Sequence, residues 1–195
     1  MNYANLNDVF GDQSTKNKKQ FFRPPHRIMK TNNNTMPFDH ANEIIPRLWL
    51  GNRYAASNED DFLLKHHITT VFNASKDIPF HDSVKKRYRI AVDDNLRPEE
   101  INNMTKWAPE IVYNVIKEYK AGHPILIHCA AGMQRSAAIM AMTLIALKHM
   151  TTDDAMEYIK ERRPIAFMHA ANFEDSIRKF ESYYYNTLIP SLKNK

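Results

Sequence analysis

Residues 125–147 constrain this chain more than any other stretch. Three apolar residues, Ile125, Leu126 and Ile127, run into a short loop, and the loop runs into residues 137–147, apolar except for Thr143. That pattern predicts the end of a buried strand, a tight loop and a buried helix. Such a turn aims several backbone N–H groups and the positive end of a helix dipole at one point, a nest suited to a tetrahedral oxyanion. The loop side chains add chemistry. Cys129, the one cysteine of the chain, sits among these amides and near Arg135. That environment lowers a thiol pKa and leaves a thiolate at neutral pH. Arg135 can hold two phosphate oxygens with its planar fork. Gly132 allows a positive φ and a close approach of backbone to ligand. Ser136 can donate a hydrogen bond to the sulfur, which makes the sulfur a better leaving group. Together these residues describe a cysteine nucleophile in a phosphate cradle.

The run His128-Cys129-Ala130-Ala131-Gly132-Met133-Gln134-Arg135-Ser136 resembles the His-Cys-x-x-Gly-x-x-Arg-Ser signature of the protein tyrosine phosphatase superfamily. Its Ala-Ala-Gly filling resembles the dual-specificity, VH1-like branch. The resemblance covers about 140 residues, 43–181, and only the loop within it is highly specific. It implies an α/β fold, a central mostly parallel sheet flanked by helices, with the site at the carboxyl ends of the strands. It also implies a two-step reaction through a phosphocysteine on Cys129. Arg135 and the loop positions Ala130, Ala131, Gly132, Met133 and Gln134 hold the phosphate, and His128 braces the loop by hydrogen bonding. Neither a metal nor another cofactor is implied, and the other histidines show no metal-ligand spacing.

A second catalytic group is expected from Asp93 and Asp94, two acids that follow a predicted strand over residues 87–92. The family pattern aligns best with Asp94 as the general acid, with Asp93 as the alternative. Asn73 ends a β-branched strand over residues 68–73 and matches a family position whose side chain helps hold the catalytic loop; the other reading is a strand-terminating turn.

The rest of the chain reads as one domain over residues 42–195, preceded by a flexible, Asn-rich and basic arm over residues 1–41. Residues 43–51 read as an entry strand that turns at Gly51. Asn58 can cap a short helix through His67, with Phe62, Leu63 and Leu64 inward. Pro98 opens a helical turn, and Thr105 caps a longer helix to Tyr119, ended by Gly122. Thr152 caps a helix that stops at Arg162-Arg163-Pro164. Residues 165–173 depart from the Pro-Asn turn common in the family, and Asn172 caps a last helix with Phe173, Ile177, Phe180 and Tyr184 inward. In the arm, residues 16–30 hold six Lys or Arg and no acid, interleaved with Phe21 and Phe22. That segment reads either as a dock for an acidic partner, a membrane surface or nucleic acid, or as a solvated tail with a hydrophobic anchor on the domain; Phe10, Phe21 and Phe22 could also meet a second subunit.

Composition bounds the function. A lone cysteine permits no internal disulfide, so a reducing compartment, cytoplasm or nucleus, is expected. No apolar run is long enough to span a bilayer, and the first residues lack a signal-peptide core. The formal charge of +5 suits anionic ligands without pointing to nucleic acid. The activity that the family resemblance implies is hydrolysis of phosphotyrosine and phosphoserine or phosphothreonine in proteins. An RNA 5′-triphosphatase or another non-protein phosphatase is the enzyme alternative. A non-catalytic phosphoprotein-binding module is the alternative of another class. The uncharged loop positions disfavour phosphoinositides.

Overall fold

The strand that carries the cysteine, β5 (Ile125–His128), is the centre of the sheet, because its side chains are apolar on both faces up to His128. In the computed structural model, which describes residues 6–11 and 39–193, the order is β1-β2-β5-β3-β4. β1 (Ala41–Ile45) and β2 (Leu48–Gly51) form an antiparallel hairpin. β2, β5, β3 (Thr70–Asn73) and β4 (Lys86–Arg89) run parallel. The expected single entry strand is therefore two strands. Pro46 and Arg47 turn the chain between them, Arg47 at φ 67, with its N–H donating to Glu43 Oε1 at 2.7 Å. At the opposite edge β4 is largely exposed, and its basic residues protect an unpaired strand edge.

Strand alternation divides the core. Ile125 and Ile127 of β5, with Leu48, Leu50 and Phe72, face the larger cluster, which takes in α4 (Pro98–Lys120), α5 (Arg135–Lys148), α6 (Thr152–Arg162) and α7 (Glu174–Tyr183). Leu126 and Val71 face a smaller cluster with Ala55 of α2 (Arg53–Ala56) and Leu63 of α3 (Phe62–Lys65). Burying each Leu or Ile stabilises by roughly 1.5–3 kcal/mol relative to exposure. α5 is buried almost all round, as its unbroken apolar sequence requires. That burial fixes the loop between β5 and α5.

Several local expectations shift. α4 is one helix from Pro98; Thr105 lies inside it, its hydroxyl 3.0 Å from the Ile101 carbonyl, and the helix passes through Pro109. Gly122, at φ 87, follows its end as expected. Asn58 serves α3 from four residues upstream by accepting from the Leu63 N–H at 2.8 Å, and Leu64 faces solvent. Thr151, not Thr152, caps α6, because its Oγ1 accepts from the Asp154 N–H; Thr152 instead donates to Glu181. α7 is followed by a π-helical turn, Tyr184–Leu188, and α8 (Ile189–Lys193). Tyr184 is buried and donates its hydroxyl to the Ala146 carbonyl.

The arm is anchored at its start. α1 (Leu6–Phe10) buries Leu6, Val9 and Phe10, and the Phe10 ring lies 6.2 Å from those of Tyr113 and Tyr184. Phe10 thus packs within its own chain, not against a second subunit. The basic segment 16–30, with Phe21 and Phe22, lies outside the described residues. No described helix is long and apolar enough to cross a membrane.

Candidate active site

Cys129 follows the end of β5, and the residue is 3% exposed. The loop curls around the sulfur: the Gly132 N–H donates to Cys129 Sγ at 3.3 Å, and the Ser136 hydroxyl donates at 3.2 Å. Burial by itself pushes the thiol up. The Ser136 hydroxyl and N–H, the Arg135 charge and the Gly132 amide outweigh it and hold the thiol below its ordinary value. Gly132 stands at φ 70, and a Cβ there would lie 2.5 Å from the Gly51 carbonyl oxygen. Only glycine fits that position without moving β2.

Arg135 opens α5 and is aimed by its Nη1, which donates to the Val92 carbonyl at 3.0 Å. Its Nε is buried with no partner among the described residues. An unpaired buried guanidinium donor is costly unless a ligand completes it, and an oxyanion does so. Ala130 is tied to the first residue of α2, its carbonyl accepting from the Arg53 N–H at 3.1 Å. Met133 and Gln134 are tied to the segment after α6: the Met133 carbonyl accepts from the Phe167 N–H at 2.9 Å, and Gln134 Nε2 donates to the Ala170 carbonyl at 2.7 Å. The loop is therefore fixed on several sides before any ligand arrives, which is how an oxyanion site stabilises charge without reorganising.

The two acids separate by environment. Asp93 pairs with Lys76 at 2.9 Å, and its N–H donates to Glu100 Oε2. Asp94 pairs with no cation among the described residues; its Oδ1 accepts from Asn172 Nδ2 at 2.8 Å. Asn172 thus holds Asp94 and does not cap α7, where Phe173 occupies the cap position.

Two expected supporting roles change. Asn73 donates to the Ile78 carbonyl at 2.7 Å and accepts from the Ser75 hydroxyl at 2.6 Å. Its side chain shapes the turn after β3 and does not hold the catalytic loop; the link to β5 is made by the backbone, Ala74 N–H to the His128 carbonyl. His128 is fully buried, and neither ring nitrogen has a hydrogen-bond partner of good geometry. Burial lowers its imidazole to about 4, with the Cys129 backbone offsetting part of the effect, so the ring is neutral at physiological pH. Among the described residues no partner supplies the expected bracing hydrogen bond.

The brace is Arg163, which the sequence presents only as a helix stop. Its guanidinium is wholly buried and donates to the Gly132 carbonyl at 2.8 Å, the Ala131 carbonyl at 3.3 Å, the Asp39 carbonyl at 3.1 Å and Asn42 Oδ1 at 2.7 Å. A five-donor planar cation can satisfy four oxygens at once; no other side chain can. The Arg-Pro dipeptide was the one sequence signal for it.

A cysteine sulfur that accepts from the Gly132 amide and the Ser136 hydroxyl, beside an arginine whose Nε is buried without a partner among the described residues, is the site this fold presents. The family model described as the dual specificity phosphatase catalytic domain matches residues 48–183. The chain belongs to that family. It is 33% identical over 141 residues to human dual specificity protein phosphatase 1, covering 72% of this chain and 37% of that protein. To rat dual specificity protein phosphatase 4 it is 32% identical over 146 residues, covering 74% of this chain and 35% of that protein. The chain thus spans about a third of the length of these curated relatives. Among solved structures, DUSP15 superposes with a TM-score of 0.65 at 25% identity, covering 80% of this chain and 96% of that one. Human tyrosine phosphatase-like serine/threonine/tyrosine-interacting protein shares the fold, with a TM-score of 0.63 at 24% identity, covering 74% of this chain and 97% of that one.

Proposed function

We propose that this chain is a protein phosphatase that hydrolyses phosphotyrosine and phosphoserine or phosphothreonine through a phosphocysteine. The observation that carries the reading is the pair of hydrogen bonds to Cys129 Sγ from Gly132 and Ser136, beside an Arg135 Nε that lacks a partner among the described residues. In the first step the thiolate attacks phosphorus while Arg135 and the amides of Ala130, Ala131, Gly132, Met133 and Gln134 hold the equatorial oxygens. Asp94 gives its proton to the leaving oxygen. In the second step Asp94 takes a proton from water, which attacks phosphorus. The sulfur leaves as a thiolate, and Ser136 stabilises it.

A pure phosphate binder needs no thiolate and no acid, so the co-occurrence of Cys129 and Asp94 favours turnover over a binding module. The free thiol suits a reducing compartment, cytoplasm or nucleus. The test is phosphate release from a phosphotyrosine peptide, a phosphothreonine peptide, a phosphoinositide and triphosphate-ended RNA, with wild type and Cys129→Ser. Release from both peptides, lost in the variant, supports the reading. Preference for RNA or lipid moves the substrate, and no release from any sends the chain to the binding class.

A further inference from the structure

The segment after α6 departs from the family's Pro-Asn turn, and it reaches two parts of the site at once. Gln134, 7% exposed, spends its amide on that segment: Nε2 donates to the carbonyls of Met168 and Ala170, at 3.2 and 2.7 Å, and Oε1 accepts from the Asn172 N–H at 3.1 Å. The Asn172 backbone is thereby fixed by the residue next to Arg135. From that fixed backbone its side-chain Nδ2 reaches Asp94 Oδ1 at 2.8 Å. On the other flank, the Asp93 N–H is held by Glu100 Oε2 at 3.0 Å. The acid loop is gripped through its peptide on one side and through the carboxyl of Asp94 on the other.

We propose that Asn172 is a positioning residue for proton transfer by Asp94, with Gln134 as its anchor. The inference rests on the reading of Asp94 as general acid. An amide N–H bonds more strongly to the carboxyl oxygen that carries no proton, the carbonyl oxygen of the acid. By occupying Oδ1, Asn172 places the acidic proton on Oδ2. As the S–P bond forms and the P–O bond of the substrate breaks, that proton passes to the leaving oxygen. In the second step the same oxygen takes the proton back from water. Asn172 touches neither phosphorus nor sulfur; it acts through Asp94 alone.

The experiment measures kcat/KM of the full chain on aryl phosphates spanning good and poor leaving groups, for wild type, Asn172→Ala, Asp94→Ala and the double variant. Asn172→Leu, which keeps the size and removes the donor without adding a charge beside Asp94, is measured alongside. The result expected is a loss of roughly tenfold or more on poor leaving groups for both Asn172 variants and a much smaller loss on nitrophenyl phosphate. In the Asp94→Ala background the Asn172 substitution changes nothing further. An equal loss across all leaving groups, or a loss that adds to that of Asp94→Ala, overturns the proposal and leaves Asn172 a structural residue. If Asp94→Ala itself shows no dependence on the leaving group, the reading of Asp94 fails first, and the role of Asn172 falls with it.

Discussion

Arg163 Nε donates to the carbonyl of Gly132 across 2.8 Å, within a guanidinium that is wholly screened from water and hydrogen-bonded to four oxygens. Burial lowers its pKa to about 10, with the charges of Cys129 and Asp39 offsetting part of the effect, so it is still protonated at neutral pH. The same group ties the catalytic loop to Asp39 and Asn42 at the entry of β1.

Replacing that group should therefore damage both stability and chemistry. Arg163→Ala leaves buried oxygens of Gly132 and Asn42 short of a donor, and roughly 3–4 kcal/mol of folding stability is expected to go. kcat should fall with it, because the cradle loses its brace. Arg163→Lys restores the charge but not the fork, so it should recover part of the denaturation midpoint and little of kcat. Urea unfolding and steady-state kinetics on the same preparations check both halves. An Arg163→Ala protein with wild-type kcat would show that the loop holds its shape unaided.

Gly132→Ala tests the cradle backbone directly. The added Cβ meets the Gly51 carbonyl oxygen and the Arg163 guanidinium, in a φ region that costs an L-residue on the order of 1–3 kcal/mol. Weaker protection by vanadate against thiol alkylation is the expected outcome, together with a lower melting temperature. Unchanged vanadate protection would mean that the loop can accept the substituent.

The thiol should be reactive below its ordinary pKa. Cys129 is lowered in the fold by Ser136, Arg135 and Gly132 against the opposing effect of burial. The iodoacetamide rate should rise with pH through a midpoint below about 8.5, the value of a free thiol. Ser136→Ala should move that midpoint upward. It should also slow phosphoenzyme hydrolysis by roughly 10–100-fold, the equivalent of one hydrogen bond to a charged sulfur. A wild-type midpoint at or above the free-thiol value would contradict the account.

His128 predicts an acid limb in stability. Its folded pKa of about 4 lies below the ordinary imidazole value of 6.5, so the folded state binds fewer protons than the unfolded chain as the pH falls. The stability it contributes is complete above about 6.5 and is lost as the pH drops toward the folded value, on the order of 3 kcal/mol in total. Chemical denaturation at pH 7 and pH 5 should show the loss in wild type. His128→Asn, which does not titrate, should show less of it.

What was legible in the sequence was local. Residues 125–136 disclose strand, loop and nucleophile, because the chemistry lies within one turn of chain and a periodicity change marks its edges. The buried α5 follows from the same stretch, and the mostly parallel sheet from the family resemblance that the stretch carries. Residues whose roles depend on distant partners were not legible. Arg163 meets Gly132 from 31 positions away and Asn42 from 121. Asn172 looks like a helix cap, since asparagine favours caps, but its amide reaches Asp94, 78 positions back. Thr105 reads as a helix start because Thr caps helices, whereas α4 runs through it and through Pro109. His128 was assigned a hydrogen bond by resemblance, and burial decides its state instead.

The central claim is that catalysis passes through sulfur, and trapping the intermediate tests it most directly. Wild-type and Cys129→Ser proteins are mixed with a phosphate-labelled phosphotyrosine peptide and quenched within the first turnover. The account predicts label on Cys129 approaching one per chain in wild type, none in Cys129→Ser, and no multiple turnover by that variant. Turnover by Cys129→Ser, or wild-type turnover with no labelled cysteine at any quench time, would contradict it.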